Sequence, residues 1–344
     1  MSPQPGRRVI ATAFALLGLV GTLLVGSTSP ASAAPEVPAA ATVPGTSLVF
    51  ATWNVCLVTC EAPAPPWSVR RDRVARVIDH SGADVLSLSE ATDIAYGSIT
   101  QWEDIQSFVA PLGYASPRIE DDRCERYGCT HTARLLIHGA TVQQLHFDGR
   151  PSAGYTRVGD VAPDVATERD RQVAWAYLQS NAGTGPFLAI GVHLSTRKTA
   201  EGEQHRVTFG QEVTSWADAM NTARGLSGIP VVLMGDFNSY QFRQPHGVQQ
   251  VLMDAGWGDS INAPVRANIR INAINYTPTQ RSGWPLRPIY NKWRLATRID
   301  YIMFRNGIAP LAYAVVVYRR ADGSFDPAYQ GSDHLMVRSR LQFT

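Results

Sequence analysis

The sequence predicts an α/β domain in which short buried strands alternate with amphipathic helices. Apolar runs of about four to eight residues, the usual length of a buried strand, recur along most of the chain. One of them, IPVVLMG at 229–235, leads directly into Asp236 and Asn238. Between such runs, apolar residues also recur at helical spacing, which is typical of helices packed on a sheet. The pattern therefore predicts strands and helices that alternate along most of the chain.

The composition is that of a globular protein without a strongly basic character. The chain has 344 residues, of which 44% are hydrophobic, and a formal net charge of +2. Two of the positive charges, Arg7 and Arg8, lie before residue 34, in a stretch without an acid. Without them the chain is formally neutral, unlike proteins that bind nucleic acid through a uniformly basic surface.

Residues 1–33 have the features of a secretory signal peptide. The Arg7-Arg8 pair gives a basic start, residues 10–25 are largely apolar, and Ala31-Ser32-Ala33 is a small-residue cleavage site. A retained membrane anchor is the alternative, because the apolar run approaches spanning length. Residues 34–46 are rich in Pro and Ala and predict a disordered lead-in. We therefore expect one domain at 47–344 and a secreted protein.

All four cysteines lie in the predicted mature chain, where export normally leads to oxidation. They are Cys56, Cys60, Cys124 and Cys129. Three pairings are possible, and close spacing favours two small loops, Cys56–Cys60 and Cys124–Cys129. A zinc site is the alternative, but export and the lack of any Cys-x-x-Cys disfavour it.

The apolar runs define the predicted strands. These lie at 47–53, 84–89, 135–138, 173–178, 187–192, 229–235, 299–304, 311–318 and 335–343. A first helix has Ser68 as its N-cap and ends at Gly82. Its core residues are Val74, Val77 and Ile78, and its arginines form a predicted solvated face of Arg70, Arg71, Arg73 and Arg76.

Two further helices follow from the same periodicity. One carries apolar residues on its core side, namely Phe209, Val213, Trp216 and Met220. The other covers about 248–255 and ends at Gly256, because glycine readily takes the left-handed conformation that ends helices. Both are predicted to pack against the sheets.

Polar residues collect at the ends of the predicted strands. They are Asn54, Glu90, His193, Asp236, Asn238, Asp300, Asp333 and His334. Each has a structural alternative: Asp236 and Asn238 suit a turn after a strand, and Asp300 has Arg298 nearby as an ion-pair partner. Because loops at one rim of a sheet are where sites are built, eight such residues at equivalent positions predict a single site.

The chemistry of this set is that of phosphate-ester hydrolysis. Oxygen ligands from Asn54, Glu90 and Asp333 suit a hard cation, with Mg²⁺ as first choice and Mn²⁺ and Ca²⁺ as alternatives. Two histidines, His193 and His334, suit proton transfer and charge stabilisation. Attack of water on a phosphodiester needs a positioned nucleophile, neutralised charge and a protonated leaving oxygen. The set supplies each of these.

Short motifs in a fixed order point to a known family. They are TWNV at 52–55, LSLSEAT at 86–92, GVHLST at 191–196, GDFNS at 235–239, RIDYIMF at 298–304 and SDHLMV at 332–337. With them the chain resembles the endonuclease/exonuclease/phosphatase superfamily, and its deoxyribonuclease branch in particular. The resemblance implies a four-layer α/β sandwich, with two packed, mainly antiparallel sheets flanked by helices and the active site at one end.

The resemblance implies a cation site beside the first two strands. Glu90 would be the principal Mg²⁺ ligand, Asp333 a further ligand, and Asn54 a contact to cation-bound phosphate or water. The residue before the metal Glu is commonly Gln in this family, whereas here it is Ser89. We expect this departure to alter the support of Glu90 without removing the ligand.

The resemblance also implies catalytic roles. Asp236 would orient or deprotonate the attacking water, and Asn238 would hold the transferred phosphoryl group. His334, with Asp300 as its carboxylate partner, would stabilise the transition-state charge or act as acid and base. Hydrolysis would then proceed in line at phosphorus, without a covalent enzyme intermediate.

A second histidine narrows the range of functions that the resemblance implies. His193 matches a histidine of the deoxyribonuclease branch, but the stretch that should supply its carboxylate partner, GCTHTARLLIH, has no acid, and Glu125 is the nearest. We expect a secreted, Mg²⁺-dependent phosphodiesterase that is nuclease-like. The alternatives are a phosphomonoesterase or sphingomyelinase-type phospholipase acting on inositol phosphates or phospholipid headgroups, and a non-catalytic binding module.

The segment between Arg266 and Arg298 predicts a substrate surface. It interleaves basic and aromatic residues without an acid, and substrate binding is assigned to Arg287, Lys292, Trp293 and Arg294. Positive charge and stacking together suit an anionic, phosphate-containing substrate such as a nucleic acid. The alternative is a basic loop balanced by acids elsewhere. No obligate protein partner is evident from the sequence, and we expect a monomer.

Overall fold

The computed structural model describes residues 46–60, 64–120, 133–165, 171–240, 247–274, 284–291 and 295–344. Several predictions lie outside these ranges: the signal peptide, nearly all of the lead-in, Glu125, the Cys124–Cys129 pairing, and the substrate residues Lys292, Trp293 and Arg294. These stay predictions. Within the described ranges, no helix is both long enough and apolar enough to cross a membrane.

Every predicted strand and helix has a counterpart in the structure. The strands are Ser47–Asn54 (β1), Val85–Ser89 (β2), Ala95–Tyr96 (β3), Ile99–Thr100 (β4), Tyr114–Ala115 (β5), Arg134–His138 (β6), Val142–Gln144 (β7), Ala153–Arg157 (β8), Gln172–Ser180 (β9), Phe187–His193 (β10), Val231–Asp236 (β11), Gly258–Asp259 (β12), Val265–Ala267 (β13), Asp300–Arg305 (β14), Ile308–Val315 (β15) and Val337–Phe343 (β16). The helices are Trp67–Ser81 (α1), Gln101–Val109 (α2), Val158–Val161 (α3), Ala200–Ala223 (α4) and Val248–Asp254 (α5).

Two large sheets carry the fold. The first has the strand order β13-β15-β16-β1-β2-β6-β5, and the second has the order β12-β14-β11-β10-β9-β7, with β8 also paired to β9. Parallel pairs within them are β1 with β2, β13 with β15 and β10 with β11. The remaining neighbours in these two sheets are antiparallel, which confirms the prediction of mainly antiparallel sheets.

The two sheets pack face to face between two layers of helices. Side chains from both sheets, among them Phe50 and Phe187, form the core between the sheets. Helices α1 and α2 cover the outer face of the first sheet, where Val74 is completely buried. Helices α4 and α5 cover the second sheet through residues such as Phe209. The four-layer α/β sandwich is therefore confirmed.

Strand alternation decides which polar residues face the space between the sheets. Successive side chains on a strand point to opposite faces, so residues an even number apart share a face. Phe50 lies in the core between the sheets, and Asn54 shares its face on β1. Met234 also lies in this core, and Asp236 shares its face on β11. Polar residues of both sheets therefore meet at one end of this core.

Helix α1 differs from the prediction at its start and on its outer face. Pro66, not Ser68, is the N-cap, and no side chain caps the helix. The predicted N-cap was therefore wrong, and the helix begins one residue after a proline whose restricted φ suits that position. Arg70 is completely buried, whereas Arg76 is exposed. The prediction of a solvated arginine face was wrong for Arg70.

Candidate active site

Two strand–helix–strand units bring the polar strand ends to one rim. In the first, β1 and β2 run parallel around α1, with Asn54 paired to Ser89 at their ends. In the second, β10 and β11 run parallel around α4, with His193 paired to Asp236. A hydrogen bond of 3.1 Å from Asn54 Nδ2 to Asp236 Oδ2 joins the two units across the sheets. The predicted site residues therefore converge from both halves of the sandwich.

Neighbouring strands of the second sheet carry three predicted catalytic residues in one row. Asp236 is paired with His193 on one side and with Asp300 on the other. His334 Nδ1 lies 2.8 Å from Asp300 Oδ2, as predicted for this pair. The Nε2 atoms of His193 and His334 lie 3.8 and 4.0 Å from Asp236 Oδ2. Distances of this size are too long for a direct hydrogen bond but allow a shared water or phosphate oxygen.

Asn54 bridges the two carboxylates nearest to it. Its Nδ2 donates to Glu90 Oε1 at 2.9 Å and to Asp236 Oδ2 at 3.1 Å, while its Oδ1 accepts from the Cys56 N–H at 2.9 Å. The amide group therefore reduces the repulsion between Glu90 and Asp236. Since its oxygen is engaged by the backbone, the assignment of Asn54 as a cation ligand stays a prediction.

Glu90 and Asp333 line the same cavity, of about 220 Å³. Trp284 and the Cys56–Cys60 loop form other walls of this cavity. The Leu57 N–H donates to Glu90 Oε2 at 3.0 Å and fixes the orientation of the carboxylate. Two carboxylates around one small cavity need a compensating positive charge, which makes the cavity suitable for a hard cation.

Two clusters within the described ranges have the composition of a metal site. In the first, Cys56–Cys60 and Asp333, the sulfurs form the predicted disulfide, with Cα atoms 5.5 Å apart. Oxidised sulfurs are not thiolate ligands, so this cluster does not resemble a zinc site. In the second, Asp236, Asp300 and His334 have ligand atoms within 4.8 Å of one another. This cluster is a possible Asp/Asp/His site for a divalent metal.

The buried charges of the site change one another's pKa values. Burial raises the pKa of Asp236 to about 6, and the nearby Asp300 adds to the shift. Burial alone would lower the pKa of His334, but the charge of Asp300 and its hydrogen bond raise it well above its usual value. Burial also raises the pKa of Glu90, against the hydrogen bond from Asn54. The site thus places a carboxylate suited to accept a proton near neutral pH beside a cationic imidazole.

A turn directly after β11 places Asp236 and Asn238. Asn238 has a φ of 50°, and its N–H donates to Asp236 Oδ1 at 2.8 Å. The turn and the site therefore coexist, because Oδ1 closes the turn while Oδ2 faces Asn54. Gly235 has a φ of 153°, and a Cβ there would lie 1.8 Å from the Val192 carbonyl oxygen. Glycine is required immediately before the aspartate.

Three non-glycine residues around the site have a left-handed backbone. Cys56, Glu90 and Asn238 have φ values of 57°, 60° and 50°. Such conformations cost on the order of 1–3 kcal/mol each and persist where the surroundings determine them. For Glu90, the surroundings include the hydrogen bonds from Asn54 and Leu57. Tertiary contacts, rather than local preference, therefore set the direction of this carboxylate.

Buried arginines that were not predicted as site residues hold the loops at the rim. Arg171 Nη1 donates to the His193 carbonyl at 2.9 Å, and Arg206 Nη1 donates to the Ser195 carbonyl at 2.5 Å. Arg70 makes similar bonds on the other side of the site. Helical spacing offers a signal for Arg70 and Arg206, since each lies three or four residues before a buried apolar residue of its own helix.

The predicted substrate segment is described in part. Arg287 lies within the described ranges and is exposed. Trp284, three residues earlier, reaches the cavity of Glu90 and Asp333, so this segment borders the site. Arg298 is buried and forms an ion pair with Asp259. Arg298 therefore contributes neither to the predicted substrate surface nor to an ion pair with Asp300.

A model of the Endonuclease/Exonuclease/phosphatase family matches residues 51–334, a span that includes every predicted catalytic and cation-binding residue. The chain belongs to the endonuclease/exonuclease/phosphatase family. The resemblance to the superfamily inferred from the motifs is thereby confirmed, while the deoxyribonuclease branch stays a prediction. A search of curated proteins finds no match.

Solved structures of this family share the fold at low sequence identity. An endonuclease/exonuclease/phosphatase family protein from Bacteroides thetaiotaomicron is 17% identical, with a TM-score of 0.61 over 87% of this chain and 99% of that chain. A mannosyl-6-phosphatase from the same species is 16% identical, with a TM-score of 0.59 over 86% and 100%. D. rerio TDP2, complexed with single-strand DNA product, is 14% identical, with a TM-score of 0.54 over 86% and 99%. These endonuclease/exonuclease/phosphatase neighbours support the fold and leave the substrate open.

Proposed function

We propose that this chain is a secreted, Mg²⁺-dependent phosphodiesterase of the nuclease-like type. The observation that carries the proposal is the arrangement around Asp236, whose Oδ2 lies within 4.0 Å of Nε2 of both His193 and His334. His334 is in turn paired with Asp300. A proton-accepting carboxylate between two imidazoles suits water activation and charge stabilisation at phosphorus.

The side chains divide the work of in-line hydrolysis. Asp236 accepts a proton from the attacking water, and Asn238 holds the phosphoryl group. His334, kept cationic by Asp300, stabilises the negative charge that develops on the phosphoryl oxygens. His193 gives a proton to the leaving oxygen as its bond to phosphorus breaks. The raised pKa values of Asp236 and His334 support these roles at neutral pH.

The cation belongs in the cavity of Glu90 and Asp333. Their carboxylates are oxygen donors around one small space, a donor set that Mg²⁺ prefers, with Mn²⁺ and Ca²⁺ as alternatives. When bound, the cation neutralises phosphate charge and helps to orient the substrate. Glu90 and Asp333 would hold it directly, and Asn54 would orient Glu90 through its amide group.

The substrate is an anionic phosphate ester, with nucleic acid as the first candidate. The exposed Arg287 and the position of Trp284 beside the cavity support a substrate surface in the segment that also contains Lys292, Trp293 and Arg294. Location outside the cell rests on the predicted signal peptide, and the disulfide of Cys56 with Cys60 is compatible with it. No partner protein is required by the proposal, and a monomer is expected.

A substrate panel tests the proposal. We expect plasmid DNA or RNA to be cleaved with Mg²⁺, cleavage to stop with chelator, and Glu90→Gln to lower kcat/KM by at least about a hundredfold, since an ion that stabilises charge is lost. Glu103→Gln is the matched control, because Glu103 belongs to the capping box of α2, where Gln also serves. Product release is measured by gel and by phosphate assay.

The same panel decides between the proposal and its alternatives. Hydrolysis of inositol phosphates or sphingomyelin in place of nucleic acid would assign the phosphomonoesterase or phospholipase function. Lack of hydrolysis on every substrate, in the presence of Mg²⁺, Mn²⁺ or Ca²⁺, would contradict an enzyme and leave a binding module.

Removal of three basic residues tests the substrate surface. In the variant Arg287→Ala, Lys292→Ala, Arg294→Ala we expect a higher KM on polyanionic DNA with little change in kcat, because positive charge is removed from binding and not from the chemistry. The slope of log KM against log salt should fall by about one for each DNA phosphate that the variant no longer neutralises. Arg150→Ala is the control, since Arg150 contacts Ala223 at the far end of α4. Equal salt slopes in the variant and the wild type would argue against this surface.

A further inference from the structure

A completely buried arginine lies behind the proposed cation cavity. Arg70, on the first turn of α1, is 0% exposed. Its guanidinium donates hydrogen bonds to the backbone carbonyls of Val55, Cys56, Leu57, Pro65 and Gly331, at 2.6–3.3 Å. Its hydrogen-bond acceptors are thus carbonyl oxygens from three separate stretches of chain. Binding this many carbonyls at once requires several N–H donors held in one plane, as in a guanidinium group. The ammonium group of lysine does not have this geometry.

All of these carbonyls except that of Pro65 belong to two loops at the proposed cation cavity, one that orients Glu90 and one that carries Asp333. Residues 55–57 form the first loop, whose Leu57 N–H donates to Glu90 Oε2 and whose Cys56 N–H donates to Asn54 Oδ1. Gly331 begins the second loop and lies two residues before Asp333. One guanidinium therefore fixes both the donor that orients Glu90 and the backbone that presents Asp333.

Other contacts also lie between these two loops, α1 and the wall of the cavity. The Ser332 hydroxyl donates to the Asn54 carbonyl at 2.6 Å, which holds the second loop against the end of β1. The guanidinium also lies over the ring of Trp284 at 6.0 Å, and Trp284 is a wall of the cavity. A Cβ on Gly331 would lie 2.9 Å from Val74, so the loop has no room to rearrange toward α1.

The charge of Arg70 is retained in this buried position. Burial lowers the pKa of its guanidinium to about 10, against the attraction of Asp333 and Glu90. It is therefore protonated at neutral pH, and it places a permanent positive charge behind two carboxylates. Burying a cation is costly unless its donors are used, and here they are used on the two loops.

We propose that Arg70 is a positioning residue for the cation cavity, which it orders by joining the 55–57 loop, whose Leu57 orients Glu90, to the loop that carries Asp333. The inference rests on the proposed function, because it assigns the cation to Glu90 and Asp333. Arg70 itself touches neither substrate nor cation in this scheme. Arg70 keeps the cation ligands ordered. The first measurable consequence of replacing it should therefore be a lower affinity for the cation.

The second strand–helix–strand unit supplies a matched control. Arg206, on α4, is also buried and donates to the carbonyls of Ser195 and Arg197. It is further paired with Glu203, which accepts from the Ser239 hydroxyl beside Asn238. Arg206 thus orders loops of the second unit and makes none of these contacts with the loops of Glu90 and Asp333. A loss of stability without a loss of cation affinity is expected when it is changed.

The experiment compares Mn²⁺ binding by Arg70→Lys and Arg206→Lys, measured by electron paramagnetic resonance, with thermal unfolding measured alongside. Arg70→Lys is expected to raise the Kd for Mn²⁺ by about 10–100-fold, the usual effect of residues that orient metal ligands. Arg206→Lys is expected to change it by less than about twofold, because distant sites seldom couple. Arg71→Lys is a second control and should leave the Kd unchanged, because Arg71 pairs with Asp72 and with Asp104 of α2 and holds neither loop.

The outcomes separate the inference from the proposed function. An unchanged Kd in Arg70→Lys, or an equal rise in Arg70→Lys and Arg206→Lys at similar losses of Tm, would overturn the positioning role. If the wild type binds no Mn²⁺ or Mg²⁺, the proposed cation dependence fails first. Should Arg70→Lys not fold, Gly331→Ala disturbs the hydrogen bond between Arg70 and the Gly331 carbonyl instead, because its Cβ would lie 2.9 Å from Val74, and an unchanged Kd there would overturn the inference equally.

Discussion

Replacement of Asp236 by Asn is expected to lower kcat by about 10²–10⁴-fold, the usual contribution of a general base, with little change in KM. The amide can still accept from the Asn238 N–H, as the carboxylate does at 2.8 Å, so the turn should be kept. It cannot accept a proton from water. Steady-state kinetics on the substrate identified by the panel, with Tm as the measure of folding, would test this.

The pH dependence of the wild type adds a second test of Asp236. The active form is deprotonated, and burial raises the pKa of this carboxyl to about 6. Activity should therefore be present above pH of about 6 and fall as the pH is lowered through that value. In Asp236→Asn this acid limb should be absent from the residual rate. Retention of both the rate and the limb would exclude Asp236 as the base.

Replacement of Asp300 by Asn is expected to have the second large effect, a loss in kcat of about 10³–10⁴-fold, by analogy with other carboxylate–histidine pairs. Asp300 is completely buried, and its Oδ2 lies 2.8 Å from His334 Nδ1. The amide keeps the size of the side chain but removes the charge that favours the imidazolium. Kinetics across pH would measure both the loss and its cause.

The sign of the pH change follows from the raised pKa of His334. In the wild type the cationic form is present below that raised pKa and is lost only as the pH rises through it. Without the Asp300 charge the pKa falls, so the basic limb of the rate profile should move to lower pH. His334→Gln should remove the part of this limb that His334 contributes and leave any part that comes from the proton donor His193. A limb at the same pH in wild type and Asp300→Asn would mean that Asp300 acts only in folding.

Much of the fold could be predicted because its signals are local. The apolar run before Asp236 is β11, and the run that ends at His193 is β10. Both follow from hydrophobicity over a few residues, which is the part of folding that neighbours in sequence decide. The pairing of His334 with Asp300 followed from the family motifs and is present in the structure.

Other parts of the site could not be predicted because they depend on tertiary contacts. Arg70 is surrounded by other arginines in the sequence, and its burial becomes clear only where the Gly331 loop lies against α1. The left-handed backbone of Glu90 departs from local preference and is stabilised by Leu57 and Asn54. A solvated arginine at position 70 was a reasonable local expectation that long-range hydrogen bonds overrode.

By itself, the sequence determined the strands, the polar residues at their ends and the family to which the chain belongs, since each is written in a short stretch of residues. The tertiary structure decided which of these residues share a cavity, which atom of Asn54 faces the carboxylates, and how far the pKa values of Asp236 and His334 move. The physical reason is that charge–charge energies and burial depend on distances between segments far apart in the chain, and these distances exist only after folding.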